Sequence, residues 1–457
     1  MSSDAPSTTH DSQNPTTFRD DPAPSAASRQ WRDLGGWSAL SVFGLAVTAL
    51  AVSGGARLGT ASAPFLGAYR WQLGPGTLLA PTIAVIVIIL TARGLTERLS
   101  WPVLQCASFA TAMGWALALA LVDGAAGLTR GLASSDEFLT DLPTIEDHPI
   151  GFLSDLTNRT AGYSVATRGH PPGPLLLLWG LHRIGVTSHL AIGLLVTALG
   201  ALTVPLVLTA VRDSCGELTA RRYAPVLCLA PYAVWTAVSM DAVVSLLGAA
   251  LVVAGVHASR RQSRGWSAAA WAGLAGLLTG VAALFSYAAP WLGLSVVCLY
   301  FARRRAFLNV VSGLGALVPV LLAQVAGFNW VDGLAAAHAD YGSRVEPYRS
   351  ALWWSGISLV ALLLAVGPPL WASARKLRNT PAWPFLAGAG SAVLFSVLAG
   401  LARGGIEHAW LPFFPWLTVA ALAPQRQGGT PTATPLLLVG LGAVTAVVIE
   451  ATLATAW

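Results

Sequence analysis

Along almost the whole chain, apolar runs of about twenty residues alternate with short polar punctuation, and runs of that length cross the ~30 Å hydrocarbon core of a bilayer as helices. The pattern predicts crossings near 36–54, 76–95, 101–122, 190–211, 222–238, 241–258, 267–285, 288–302, 306–327, 351–371, 383–402, 409–424 and 434–455. With about 13 spans, the expected fold is all-α, a polytopic transmembrane helical bundle. The run at 172–186 is apolar but only about 15 residues long, short for a span. It is read as a juxtamembrane helix lying along the outer interface.

Residues 1–35 are rich in Ser, Thr, Pro, Ala and Asp and show no periodicity, so they are expected to form a disordered cytoplasmic tail. They lack the basic segment, short apolar core and cleavage site of a secretory signal, so the first span should stay in the mature protein. Residues 36–457 then form one multi-span membrane domain with outer loops at 123–189 and 328–350. Composition agrees: 54% of residues are hydrophobic, 11% are charged and the mean hydropathy is +0.62. These values exclude a soluble enzyme carrying a single anchor.

Charge sets the sidedness. With 172–186 at the interface, Arg221-Arg222, Arg260-Arg261, Arg303-Arg304-Arg305 and Arg375-Lys376-Arg378 all fall on the side of the tail. The positive-inside rule prefers that arrangement, with a cytoplasmic N-terminus in the plasma membrane. The pI of 9.5 therefore reports topology and points to no nucleic-acid partner. Of 27 basic residues only Lys376 is lysine, a bias suited to a GC-rich bacterial genome. The cysteines at 106, 215, 228 and 298 have no metal-ligand spacing and indicate neither a zinc site nor a disulfide framework.

On the outer side the pattern inverts. The 123–171 loop carries Asp123, Asp136, Glu137, Asp141, Glu146, Asp147 and Asp155 against Arg130, Arg159 and Arg168. In Ser135–Pro143 the acids alternate with apolar residues, as in a short helix lying on the interface. Carboxylates at that boundary are partly desolvated, which raises basicity and suits a general base; ordinary solvated surface is the alternative. The loop ends in Thr167-Arg168-Gly169-His170-Pro171-Pro172-Gly173-Pro174, where prolines stiffen the backbone and remove donors as a helix begins. Arg168 and His170 there offer donors at headgroup height, the chemistry a lipid phosphate requires.

Acids in the first large outer loop followed by a basic-residue-Pro-Pro turn resemble the GT-C glycosyltransferases, including the protein O-mannosyltransferases and the lipid A aminoarabinose transferases. Ser239-Met240-Asp241 resembles the Ser/Thr-x-Asp turn of that family, and Arg403-Gly404-Gly405-Ile406-Glu407-His408 is similar to an Arg-Gly-x-x-Glu-Arg stretch of actinobacterial members. These elements run in the family's order over roughly residues 100–425. The chain departs in carrying His170 where many relatives have Lys and His408 where actinobacterial ones often have Arg.

The resemblance implies a membrane enzyme that moves a sugar from a polyprenyl-phosphate donor to a cell-envelope acceptor on the outer face, with inversion. It implies that Asp136 or Glu137 is the catalytic base, with Asp141 and Asp147 as alternatives, and that Asp241 is catalytic, a helix cap being its other reading. Arg168, His170, Arg403 and His408 are the expected phosphate ligands, supported by Pro171, Pro172 and Glu407. A divalent cation is left open, as are the sugar and the acceptor. A transporter or flippase, or an inactive scaffold, is the competing class.

Overall fold

The computed structural model describes residues 26–158, 160–376, 380–426 and 428–454. The remainder of the expected tail, residues 1–25, lies outside the described residues, as do Arg159 and Arg378. The long helices are α1 (Ala26–Ser53), α2 (Leu79–Ala92), α3 (Trp101–Ala120), α4 (Gly173–Arg183), α5 (His189–Ala201), α6 (Thr203–Cys215), α7 (Glu217–Cys228) and α8 (Met240–Ala258). They continue as α9 (Gly265–Ala283), α10 (Pro290–Ala302), α11 (Leu308–Val325), α12 (Trp330–Arg344), α13 (Ala351–Val366), α14 (Trp383–Leu398) and α15 (Leu436–Thr452). The molecule is an all-α bundle whose one small sheet pairs β1 (Ala68–Tyr69) antiparallel with β2 (Leu453–Ala454).

Among the described residues six helical stretches are long and apolar enough to cross a membrane, including α1, the run from His189 to Cys215, α8, α9 and α11. Others in the predicted positions are shorter, among them α2, α10, α13, α14 and α15. Proline explains part of the shortening: the run at 222–238 breaks after α7 into a 3-10 turn at Pro231–Trp235, because each proline removes a ladder donor. Large side chains on α11 face outward, with Val325 87%, Leu322 65% and Leu314 63% exposed. Such a surface suits lipid rather than water. The chain is a multi-pass membrane protein.

α1 starts at Ala26, ten residues before the expected first span at 36, and is tied inward at this end. The Trp37 indole donates to the Leu363 carbonyl at 2.9 Å, and Asp33 pairs with Arg375. The basic loops gather at one end of the bundle. Arg303 reaches Asp213 at 2.8 Å, Arg260 reaches the same carboxylate at 2.5 Å, and Arg222 reaches Glu97 at 2.7 Å. α8 runs from this end to the opposite one, where Asp241 stands in its first turn.

The loop that holds the acids is built from short helices, Phe138–Asp141, Leu142–Ile145, Pro149–Asn158 and Val165–Gly169, packed on α4 through Phe138, Ile145, Leu153 and Leu178. α4 has eleven residues, and at ~1.5 Å per residue it is too short to cross a bilayer core. Its start is fixed by close approach. The Gly173 amide donates to the Leu284 carbonyl at 2.7 Å, and a Cβ on Gly173 would stand 2.4 Å from that oxygen. The proline-glycine turn therefore lets α4 seat against the end of α9.

Candidate functional site

A cavity of about 390 Å³ opens at the end of the bundle where α8 begins. Its lining draws on distant parts of the chain: Asp136 and Glu137, His170, Asp241, Tyr341 and Arg349, and His408. The first loop contributes too. Leu66 lines the cavity, and neighbouring Phe65 packs on the Trp235 ring with centroids 5.0 Å apart.

Asp241 is the junction. Ser239 is the N-cap of α8, its hydroxyl accepting from the Asp241 amide at 3.2 Å, so the Asp241 carboxylate is not consumed as a cap. Just before it, Val238 holds φ at +58°, a left-handed conformation that costs a β-branched residue energy and turns the chain sharply into α8. The freed carboxylate lies between two imidazoles. His408 Nδ1 is 3.2 Å from Oδ2, and His170 Nε2 is 3.9 Å from Oδ1. His170 donates from Nδ1 to the Ala166 carbonyl at 2.8 Å, which turns Nε2 toward Asp241. Phe138 meets the His170 ring edge-on at 5.3 Å and limits its rotation.

Burial sets the protonation of this cluster. It pushes the Glu137 carboxyl up to about 7, with Asp241 and Asp136 adding to the rise and His408 opposing it. At His408 burial works against the charged ring, but the hydrogen bond and charge of Asp241, with Glu407 and Glu137, overcome it and hold the ring above the usual imidazole range. The site therefore places a carboxyl that titrates near neutrality beside an imidazole biased toward its cation, a pairing suited to proton transfer and anion binding.

The other expected residues lie elsewhere. Arg168 pairs with Asp340 at 3.3 Å and donates to the Tyr163 carbonyl at 3.0 Å, joining the acid loop to α12. Arg403 pairs with Glu346 at 3.1 Å and donates to the carbonyls of Gly400, Glu346 and Arg349. Neither arginine lines the cavity. Asp141 is buried and accepts from the Ser164 amide at 2.9 Å, which anchors the helix leading to His170. Asp147 is exposed on the loop, away from the cavity. Pro171 and Pro172 are buried in the turn behind His170. Glu407 is 1% exposed; its Oε1 accepts from the Leu66 amide at 3.1 Å, and burial raises its carboxyl above the ordinary range.

Arg349 is the cation that the sequence did not single out. It lines the cavity, donates to the Arg403 carbonyl at 2.8 Å and lies 6.0 Å over the Trp354 ring. Tyr341 lines the same wall; burial pushes its phenol up to about 12, so it stays a neutral donor, and it donates to the Leu401 carbonyl at 3.0 Å. Only the position of Arg349, at the end of the 328–350 segment, hinted at this. Among the described residues no group of three or more His, Cys, Asp or Glu is arranged to hold a metal ion.

No known family and no curated protein matches the sequence. Solved structures with a similar chain course include ArnT from Cupriavidus metallidurans in the apo state, 17% identical, covering 60% of this chain and 54% of that one, with a TM-score of 0.40. The same protein bound to undecaprenyl phosphate is 16% identical, with coverage of 62% and 58% and a TM-score of 0.41. The chain thus spans little more than half the length of the ArnT chains it matches.

Proposed function

We propose that this cavity is the active site of a membrane glycosyltransferase that moves a sugar from a polyprenyl-phosphate donor to a cell-envelope acceptor, at the outer face of the membrane. The observation that carries the reading is the cluster of Glu137, Asp241, His170 and His408 in one cavity at the end of an apolar bundle. A lipid-linked donor keeps its isoprenoid in the bilayer and presents its phosphate and sugar at that depth. The competing transporter reading expects a polar path at mid-membrane depth. This cavity instead sits at a helix end.

In this mechanism Glu137 accepts the proton of the acceptor hydroxyl. The oxygen attacks the anomeric carbon from the face opposite the phosphate, a new C–O bond forms, and the bond to the phosphate oxygen breaks with its electron pair leaving on the phosphate. Inversion follows from the single displacement. His408, which Asp241 biases toward its cation, and Arg349 stabilise the departing anion, and His170 offers a further donor when protonated. Arg168, Arg403 and Asp141 act as positioning residues through the loops they join.

The test is transfer of labelled sugar from polyprenyl-phosphate donors by the protein in nanodiscs, beside Glu137→Gln. Removing a general base should lower the rate by about 10²–10⁴-fold. Full activity in the variant, or no transfer from any such donor by folded wild-type protein, would overturn the proposal.

A further inference from the structure

A second pocket, of about 300 Å³, lies at the other end of the bundle. Ser214, Arg303, Thr380, Gln425 and Arg426 form its polar wall, and Leu299, Trp383 and Pro384 its apolar floor. Leu299 stands in the last turn of α10, while Trp383 and Pro384 open α14. The pocket therefore caps the seam between these two helices, which also meet further along where Trp291 packs on Phe395 with ring centroids 5.0 Å apart.

Its depth follows from α8. Arg303 donates to the Val256 carbonyl at 3.1 Å and the Ser259 hydroxyl at 3.2 Å, at the C-terminal end of α8, whereas Asp241 stands in its first turn. From Asp241 to Ser259 the helix rises about 27 Å at ~1.5 Å per residue, close to the ~30 Å thickness of a bilayer core. The pocket thus stands at headgroup level on the membrane face opposite the candidate active site. Trp383, 41% exposed at a helix end, is placed where aromatic residues mark that boundary.

The charge there is positive and unbalanced. Arg260 and Arg303 share the carboxylate of Asp213, and among the described residues no acid pairs with Arg426. No carboxylate among the described residues lines the pocket. Arg303 is held in place because its terminal nitrogens also bond Ser214, Ser259 and the Val256 carbonyl. Its Nε has no partner among the described residues, and the side chain keeps 22% of its surface exposed.

We infer that this pocket binds the headgroup of an anionic phospholipid in the leaflet opposite the candidate active site. Arg426 and the Nε of Arg303 donate to the phosphodiester oxygens, Ser214 and Gln425 donate to the rest of the headgroup, and the acyl chains descend along the outer faces of α10 and α14. Basic pockets between membrane helices suit such headgroups, and the positive surplus disfavours one that carries its own ammonium.

The experiment is native mass spectrometry of the full chain released from micelles holding equal amounts of dioleoyl phosphatidylglycerol and dioleoyl phosphatidylcholine. The wild-type protein should retain the glycerol lipid about tenfold over the choline lipid, and Arg426→Gln, at an exposed position, should cut that ratio to about twofold. Arg93→Gln removes a charge from another exposed loop at the same end, outside the pocket, and should leave the ratio unchanged. Glycerol 3-phosphate at the same concentration should not displace the lipid, since it lacks acyl chains. Equal retention of both lipids, an equal fall in Arg93→Gln and Arg426→Gln, or displacement by glycerol 3-phosphate overturns the inference. Sugar transfer is not read, so the outcome is independent of the proposed function.

Discussion

Replacing Asp241 by Asn keeps the shape of the site and removes the charge that holds His408. The contact at 3.2 Å joins two side chains that are 18% and 19% exposed, a charge-assisted hydrogen bond in a partly desolvated setting. Such bonds are worth about 1.5–3 kcal/mol, and one pKa unit corresponds to about 1.4 kcal/mol. Without Asp241, burial acts on the ring with less opposition, so the His408 pKa should fall. A ring whose folded pKa is raised adds stability that is fully present below its unfolded value near 6.5 and is lost as pH rises through the folded pKa. Asp241→Asn should therefore lose more stability at pH 5.5 than at pH 8.5. The assay is an NMR titration of ¹⁵N-histidine-labelled protein in nanodiscs, with His408→Gln to assign the resonance. A His408 midpoint unmoved by Asp241→Asn would refute the electrostatic account of the cluster.

Other substitutions separate chemistry from support. Glu407→Gln should be nearly neutral in thermal unfolding, since its amide oxygen can still accept from Leu66, whereas Glu407→Ala strands that buried amide and should cost about 1–3 kcal/mol. Gly173→Ala should destabilise the protein by about 1–3 kcal/mol or block insertion, because the added methyl meets the Leu284 carbonyl; detergent-resistant folding measured by size-exclusion checks it. Arg349→Ala should weaken polyprenyl-phosphate binding without lowering the unfolding temperature as far as Arg403→Ala, whose side chain binds Glu346 and three carbonyls; binding and melting curves on both variants decide it.

The bundle was legible because hydropathy periodicity follows directly from the need to satisfy backbone groups in lipid. Most long helices fall where apolar runs predicted them, although α12 lies within the expected loop 328–350 and the run at 409–424 is broken into short helices, and part of the shortening traces to prolines such as Pro231 that run length ignores. The site was legible in part. Glu137, His170, Asp241 and His408 were named from local pattern and resemblance, but their meeting in one cavity is a tertiary fact. The turn at 167–174 supplies a clear case. Its two cations look alike in sequence, yet His170 faces the cavity while Arg168 turns to Asp340 on α12. Arg349 was invisible for the opposite reason. A lone cation at the end of a loop has many surface equivalents, and nothing in its neighbours marks it. The start of α1 at Ala26 was missed because its first turns are polar and are held by Asp33 and Trp37 contacts with distant segments.

The most direct test of the account is the pH dependence of sugar transfer by wild-type protein and Glu137→Gln. If Glu137 is the base, kcat/KM should rise with pH through a midpoint near 7 in wild type as its carboxyl loses its proton, and that limb should vanish in the variant. A wild-type rate that is flat from pH 5.5 to 8, or a rising limb that survives in Glu137→Gln, would contradict the assignment of Glu137 as base.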